Sequence, residues 1–124
     1  MSLRPLVFGA AATPAEPGAP APDRLRRGSP RFATRNHYTD NTSQFFSGEW
    51  SSGPGAWEVR YDAHEEEFCL LLEGEVVLTG ADGHRTELRA GDAFVIPGGY
   101  VGTWDNLTAV RKLYAIMSLK EISV

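Results

Sequence analysis

The sequence predicts an all-β barrel or sandwich over most of its length. From about Arg31 onward, short apolar runs alternate with turn residues at a spacing of about 8–12 positions, which is typical of antiparallel strands in such folds. Helical periodicity is weak everywhere except in the last few residues, so we expect little helix. Two of the runs are closed by Gly74 and Gly91, as expected where strands turn sharply and a Cβ atom would clash.

Composition sets the first limits on function. The chain has 124 residues and a net charge of −4, which fits one domain without a basic face for nucleic acid. Its single cysteine, Cys69, excludes an intrachain disulfide and is typical of a cytoplasmic protein. The segment Met1–Ala12 is short and is interrupted by Pro5, so we predict neither an export signal nor contact with a membrane.

The N-terminal residues differ in character from the rest. Six of the eight prolines lie in the first 30 residues, which excludes a helix there. We therefore predict an extended Pro/Ala-rich arm and linker over residues 1–30 and a barrel over residues 31–124. Within the arm, Leu3–Phe8 is expected to be an edge strand and Thr13–Pro30 a linker. An edge strand without a partner in its own chain would pair with a neighbour's sheet, so we predict a homodimer.

Strands in the barrel follow from alternation and turn signals. Trp57–Tyr61 alternates with period two, which places Trp57, Val59 and Tyr61 on one face. The Asp82-Gly83 pair favours a hairpin turn. The other predicted strands are Glu75–Thr79, Arg85–Leu88, Ala93–Ile96, Tyr100–Trp104 and Val110–Met117.

Two groups of motifs carry a family resemblance. Glu67 followed by Gly74 at seven positions, and Gly91 followed by Pro97 and Gly99, resemble the end of the first cupin motif and the start of the second. Asn106 stands where the second motif ends. Further matches are Gly48-Glu-Trp50, Ser52-Gly-Pro-Gly55, Glu66-Glu-Phe-Cys69, Leu72-Glu-Gly74, Ala90-Gly-Asp-Ala-Phe94 and Gly102-Thr-Trp104.

These motifs are similar to small single-domain cupins related to the (S)-ureidoglycine aminohydrolase cupin domain and to an ethanolamine-utilisation cupin. The resemblance covers about residues 40–117. It implies an RmlC-like cupin fold, a double-stranded β-helix or jelly-roll barrel with a cavity at one mouth.

The same resemblance shows where metal ligands are missing. The positions of the histidines in metal-binding cupins hold Tyr61, Ala63 and Gly102 here. Tight transition-metal binding normally needs three protein ligands, and the candidates that remain are Glu67 and a displaced His64. We therefore expect at most a weakly bound divalent metal (Mn, Ni, Fe or Zn).

Parity along the Glu67 strand identifies candidate site residues. Counting by two places Ala63, Glu65, Cys69 and Leu71 on the cavity face with Glu67, and points His64 outward. A buried Glu67 must be paired or have a raised pKa, which makes it the candidate acid or base; the alternative is a structural glutamate bonded to Tyr61 or to backbone amides. Glu65 beside Glu67 would form a carboxylate pair in which one pKa rises.

The remaining candidates are less specific. Cys69 on the same face is a candidate ligand-binding residue, although a buried free cysteine is usually inert. Tyr61, Tyr100 and Trp104 are candidate substrate-binding residues together with Glu65 and Cys69, although aromatics at strand spacing also form ordinary core. His84 beside the Asp82-Gly83 turn is expected to be solvated, and His37 has no visible partner.

Two functions remain open. The first is an enzyme that acts on a polar nitrogenous metabolite of the ureido or amino type, with Glu67 as acid or base. The second is a non-catalytic binding or regulatory module that keeps the pocket without the metal-ligand histidines.

Overall fold

Two antiparallel β-sheets face each other across the part of the chain that the structure, a computed structural model, describes, residues 3–119. This range holds eleven strands and no helix, so the predicted all-β class is confirmed. The strands are β1 (Glu16–Gly18), β2 (Leu25–Gly28), β3 (Phe32–Thr39), β4 (Phe45–Ser52), β5 (Gly55–Arg60), β6 (Glu65–Glu73), β7 (Glu75–Gly80), β8 (Arg85–Arg89), β9 (Ala93–Ile96), β10 (Val101–Asn106) and β11 (Val110–Ser118).

The sheet orders determine which residues meet in the core. One sheet has the order β1-β3-β4-β11-β6-β9 and the other the order β2-β5-β10-β7-β8. Alternate residues of each strand point between the sheets, where Cys69, Leu71 and Val110 of the first sheet pack with Trp57 and Trp104 of the second. The result is a jelly-roll barrel. Within the described residues, no helix is long and apolar enough to cross a membrane.

The strands predicted from alternation are present, with small shifts at their ends. The structure places β9 at the predicted Ala93–Ile96 and starts β11 at the predicted Val110. The turn glycines Gly74, Gly83 and Gly91 have φ angles of 98°, 86° and 95°, the left-handed region that glycine adopts without steric cost.

The N-terminal prediction was wrong in two respects. Leu3–Phe8 forms no strand, and its side chains are exposed except that the Phe8 ring stacks on His37 at 4.6 Å. The segment expected to be a linker instead supplies β1 and β2, which add to the edges at β3 and β5. All seven residues of these strands are exposed, so they lack the apolar alternation by which a strand is recognised in a sequence. The last few residues, the one place where helical periodicity was not weak, include residues 120–124, which lie outside the described range.

The contacts of β2 predict that the first 30 residues contribute to stability. Arg27 donates to both carboxylate oxygens of Asp105 on β10, at 2.6 and 3.0 Å, and β2 covers the free edge of β5. A chain that starts at Arg31 should therefore unfold at a lower temperature than a chain that starts at Thr13, which keeps β1 and β2. Thermal unfolding followed by circular dichroism measures this difference, and equal midpoints would show that the two strands are dispensable.

Candidate functional site

A cavity of about 440 Å³ lies between the sheets. Its wall is mostly aromatic and aliphatic, and most of its polar side chains form two groups, one around Glu67 and one at Tyr114. The lining residues are Phe32, Thr34, Asn36, Phe46, Trp50, Trp57, Val59, Tyr61, Glu67, Trp104, Lys112, Tyr114 and Ile116. An apolar cleft with a few convergent polar groups is the usual form of a small-molecule site.

The first polar place is a buried cluster around Glu67. The Tyr61 hydroxyl donates to Glu67 Oε1 at 2.5 Å, and Lys112 Nζ donates to Glu67 Oε2 at 2.9 Å. Lys112 and Glu67 are only 6% and 4% exposed, so each charge is removed from water and depends on the other. Tyr61 follows β5 in one sheet, whereas Glu67 and Lys112 lie on β6 and β11 of the other, so the cluster also connects the two sheets.

Two indole rings enclose the ammonium group of Lys112. Its Nζ lies 4.7 Å from the ring centroid of Trp50 and 4.4 Å from that of Trp104, within the range of an attractive cation–π contact. The orientation of Trp104 is fixed in turn, because its Nε1 donates to Asn106 Oδ1 at 2.8 Å and Asn106 donates to the carbonyl of Gly53 at 3.2 Å.

The second polar place lies on the β3 and β11 side of the cavity. There the Tyr114 hydroxyl donates to Asn36 Oδ1 at 2.7 Å. Burial, with a smaller contribution from the Glu67 charge, raises the pKa of Tyr114 to about 12. Both groups are neutral at physiological pH, so this side offers hydrogen bonds without charge.

Burial and the neighbouring charge shift the pKa values of Glu67 and Lys112 in opposite directions. Burial alone would raise the pKa of Glu67, but the Lys112 ammonium and the hydrogen bond from Tyr61 hold it below its ordinary value. Burial alone would lower the pKa of Lys112, but the Glu67 carboxylate keeps it raised. Desolvation and then the Glu67 charge raise the pKa of the Tyr61 hydroxyl far above its usual range. The cluster therefore holds one negative and one positive charge across the neutral range.

Several predicted site residues lie on or beside the cavity. Glu67, Tyr61 and Trp104 line it. Cys69 is fully buried behind the wall, 3.7 Å from Lys112 Nζ, where desolvation raises its pKa to about 12. Glu65 lines an adjoining cleft of about 300 Å³ that shares Tyr61 and Glu67 with the main cavity, and partial burial is the main cause of its raised pKa.

Other predicted residues lie elsewhere. Tyr100 packs against the core but outside the cavity wall. Ala63 was expected to face inward and is instead exposed, because the turn at residues 63–64 precedes β6 and breaks the parity count. His64 is exposed in the same turn, as expected of an outward residue. His84 is exposed, and His37 has a partner that the sequence did not reveal, the Thr13 hydroxyl at 2.9 Å from Nδ1.

Sequence reasoning missed Lys112. Within the predicted strand Val110–Met117 it shares the inward parity of Val110, Tyr114 and Ile116, and the sequence contains only one other lysine, Lys120. A lysine at an inward position of a strand needs a buried counter-charge. That pattern would have linked Lys112 to the inward carboxylates of the neighbouring motif, Glu67 or Glu65.

The residues present do not fit the metal that many cupins bind. The Lys112 ammonium already lies against Glu67, where a second cation would be repelled. A side chain at Gly102, the place of the second-motif histidine, would collide with the carbonyl oxygen of Thr79. Within residues 3–119 no group of three or more His, Cys, Asp or Glu side chains is arranged to hold a metal ion.

Comparison with known proteins identifies the family. A family model described as a EutQ-like cupin domain matches residues 39–114. A DUF861 protein of unknown function from Pseudomonas syringae pv. tomato is 27% identical to this chain with a TM-score of 0.73. The match covers 87% of this chain and 45% of the Pseudomonas protein. A DUF861 protein from Thermotoga maritima is 33% identical with a TM-score of 0.50. That match covers 53% of this chain and 73% of the Thermotoga protein.

The EutQ protein of Clostridium difficile has the same fold at 15% identity and a TM-score of 0.63, covering 73% of this chain and 65% of its own. The chain thus spans about half the length of the Pseudomonas protein and about two thirds of EutQ. No curated protein sequence matches the chain. The relationship to an ethanolamine-utilisation cupin that the motifs predicted is confirmed.

The ion pair predicts strong coupling between two substitutions. Either Glu67→Gln or Lys112→Met leaves one buried charge unpaired, and each should lower the free energy of unfolding by about 3–5 kcal/mol. The double variant should cost less than the sum of the two by about 1–3 kcal/mol. Urea unfolding of the four proteins measures this cycle. Arg111→Met, on the same strand but in exposed pairs with Glu49 and Glu73, is the control and should change stability by at most about 1 kcal/mol; additive losses would contradict the coupling.

The shifted pKa values also predict the pH range of stability. The lowered pKa of Glu67 contributes stability above its ordinary value of 4.5, which is lost as the pH falls through the folded value. The raised pKa of Lys112 contributes stability below its ordinary value of 10.5, which is lost as the pH rises through the folded value. The wild-type protein should therefore lose stability at both ends more steeply than the double variant Glu67→Gln/Lys112→Met. Parallel pH profiles of the unfolding free energy would contradict this expectation.

Proposed function

The chain belongs to the EutQ-like cupin family, and on that premise we propose that its barrel binds a small polar nitrogenous molecule in the cavity between the sheets. Of the ureido and amino types, the ureido type is favoured because it is neutral. The observation that carries the proposal is a cavity of about 440 Å³ with aromatic walls and a polar end whose two charges cancel.

Charge balance selects against an ionised ligand. Glu67 and Lys112 neutralise each other at 2.9 Å, so a charged group brought into the cavity would lose its hydration without gaining a free counter-ion. An ammonium ligand would also approach the cation already held between Trp50 and Trp104. A neutral ligand avoids both costs.

Hydrogen-bonding capacity supports a ureido group in particular. Lys112 can donate to a carbonyl oxygen, and the Glu67 carboxylate retains lone pairs that can accept from an N–H group. The ureido group carries both functions in one plane. Trp50, Trp57 and Phe32 supply ring faces within the same cavity, against which a planar group packs with little loss of contact.

A catalytic version of this function is the second candidate, and Glu65 favours it. At neutral pH, Glu67 stays ionised and Tyr61 stays protonated, so neither readily exchanges a proton. Glu65 is different, because its pKa is raised and it lines the cleft that adjoins Glu67. A carboxyl with a raised pKa beside a ligand cavity can act as a general acid or base.

Association of two copies and a cytoplasmic location remain part of this proposal. The predicted route to a dimer through Leu3–Phe8 has lost its support, since that segment forms no strand. Exposed apolar residues on the outer face of the first sheet now support association. Phe68 on β6 and Val95 on β9 are register partners and are 46% and 57% exposed, so a second copy could bury them.

Calorimetric titration with phenylurea and benzylamine tests the binding proposal. Phenylurea should bind saturably, benzylamine at least tenfold more weakly, and Trp50→Ala should weaken phenylurea binding at least tenfold. Phe68→Ala, on the outer face, is the matched control and should bind as the wild type does. Absence of saturable phenylurea binding, or tighter binding of benzylamine, would overturn the proposed ligand class. Ammonia release from phenylurea that disappears in Glu65→Gln would establish the catalytic version instead.

A further inference from the structure

The cavity contains a fixed positive charge of its own, and it lies beside the one cavity carboxylate that the cupin motif aligns with a metal ligand. Lys112 Nζ is 2.9 Å from Glu67 Oε2 and 3.7 Å from Cys69 Sγ. A carboxylate oxygen and a sulfur thus lie on the same ammonium, and both would be donors to a metal ion if the lysine were absent.

Packing prevents the ammonium from leaving this position. The Lys112 side chain is 6% exposed and its Nζ lies over two indole rings. Moving it would give up the cation–π contacts and the ion pair together, and would leave Glu67 charged in an apolar cavity. A metal ion that entered from solution would have to displace the ammonium, with the loss of these contacts, before it could bind Glu67.

We propose that the Lys112 ammonium is the resident cation of this cavity and that it excludes divalent metals from Glu67 and Cys69. The missing histidines are then not the only obstacle to a metal ion, since the tethered ammonium occupies the position beside Glu67. This inference concerns the cation at Glu67 and holds whether or not a ureido compound is the ligand.

Titration with Co²⁺ tests the proposal, because a cobalt–thiolate bond gives an absorption band of its own. The wild-type protein should bind no Co²⁺ in the cavity. Lys112→Ala removes the charge and opens the space between Glu67 and Cys69, so it should bind one equivalent, with the thiolate band, at Co²⁺ concentrations at least tenfold below any at which the wild type binds. That band should disappear in Lys112→Ala/Cys69→Ser.

Two further variants keep the test decisive. Lys112→Val removes the charge with a β-branched side chain that suits a strand and is too short to reach the ammonium's position, so it replaces Lys112→Ala if that variant fails to fold and should show the same gain. Arg111→Ala removes an outward cation of the same strand and should leave cobalt binding at the wild-type level. Native mass spectrometry counts the bound ions independently of absorption.

Two results would overturn the proposal. One is a wild-type protein that retains a metal ion which Glu67→Gln releases, since the ammonium would then not be the cavity's cation. The other is a folded Lys112→Ala or Lys112→Val protein that binds Co²⁺ no better than the wild type, since donor shortage alone would then account for exclusion.

Discussion

The ion pair between Glu67 and Lys112 is the interaction on which the cavity depends, because neither charge could remain in the barrel without the other. Both side chains are almost fully removed from water, and an unpaired charge at such a depth costs several kcal/mol. The surrounding residues further offset the lost hydration of the two charges. Tyr61 donates a hydrogen bond to the second carboxylate oxygen, and the Trp50 and Trp104 rings face the ammonium. Polar residues therefore persist within an apolar core.

The pair also explains why the aromatic wall is ordered. In the orientation in which Trp104 faces Lys112, its buried N–H needs an acceptor. Asn106, two residues further along β10 and on the same face, supplies that acceptor and is itself held by the carbonyl of Gly53. In the described part of the chain every buried side-chain nitrogen and oxygen has such a partner. The Lys112 ammonium is thus in contact with indole rings of both sheets.

How much could be predicted from the sequence differs between the fold and the site. Strand β9 and the face shared by Glu67, Cys69 and Leu71 follow from local alternation, which needs no knowledge of partners. Strands β1 and β2 were missed because their pairing with sheet edges is a backbone interaction that leaves no apolar pattern. Lys112 was missed for a related reason: its partner lies 45 positions away in the sequence, so only the sheet register brings them together.

A cupin barrel without its histidines is therefore not simply a barrel that has lost a function. Glu67 lies where the motif places it, but its charge is paired with an ammonium that the chain itself carries, and a side chain at Gly102 would collide with the carbonyl oxygen of Thr79. A metal would offer a ligand several open coordination positions, whereas a lysine offers directed N–H groups and a single charge. In this chain the polar end of the cavity therefore offers hydrogen-bonding groups and a paired charge, a chemistry that the cupin fold alone does not determine.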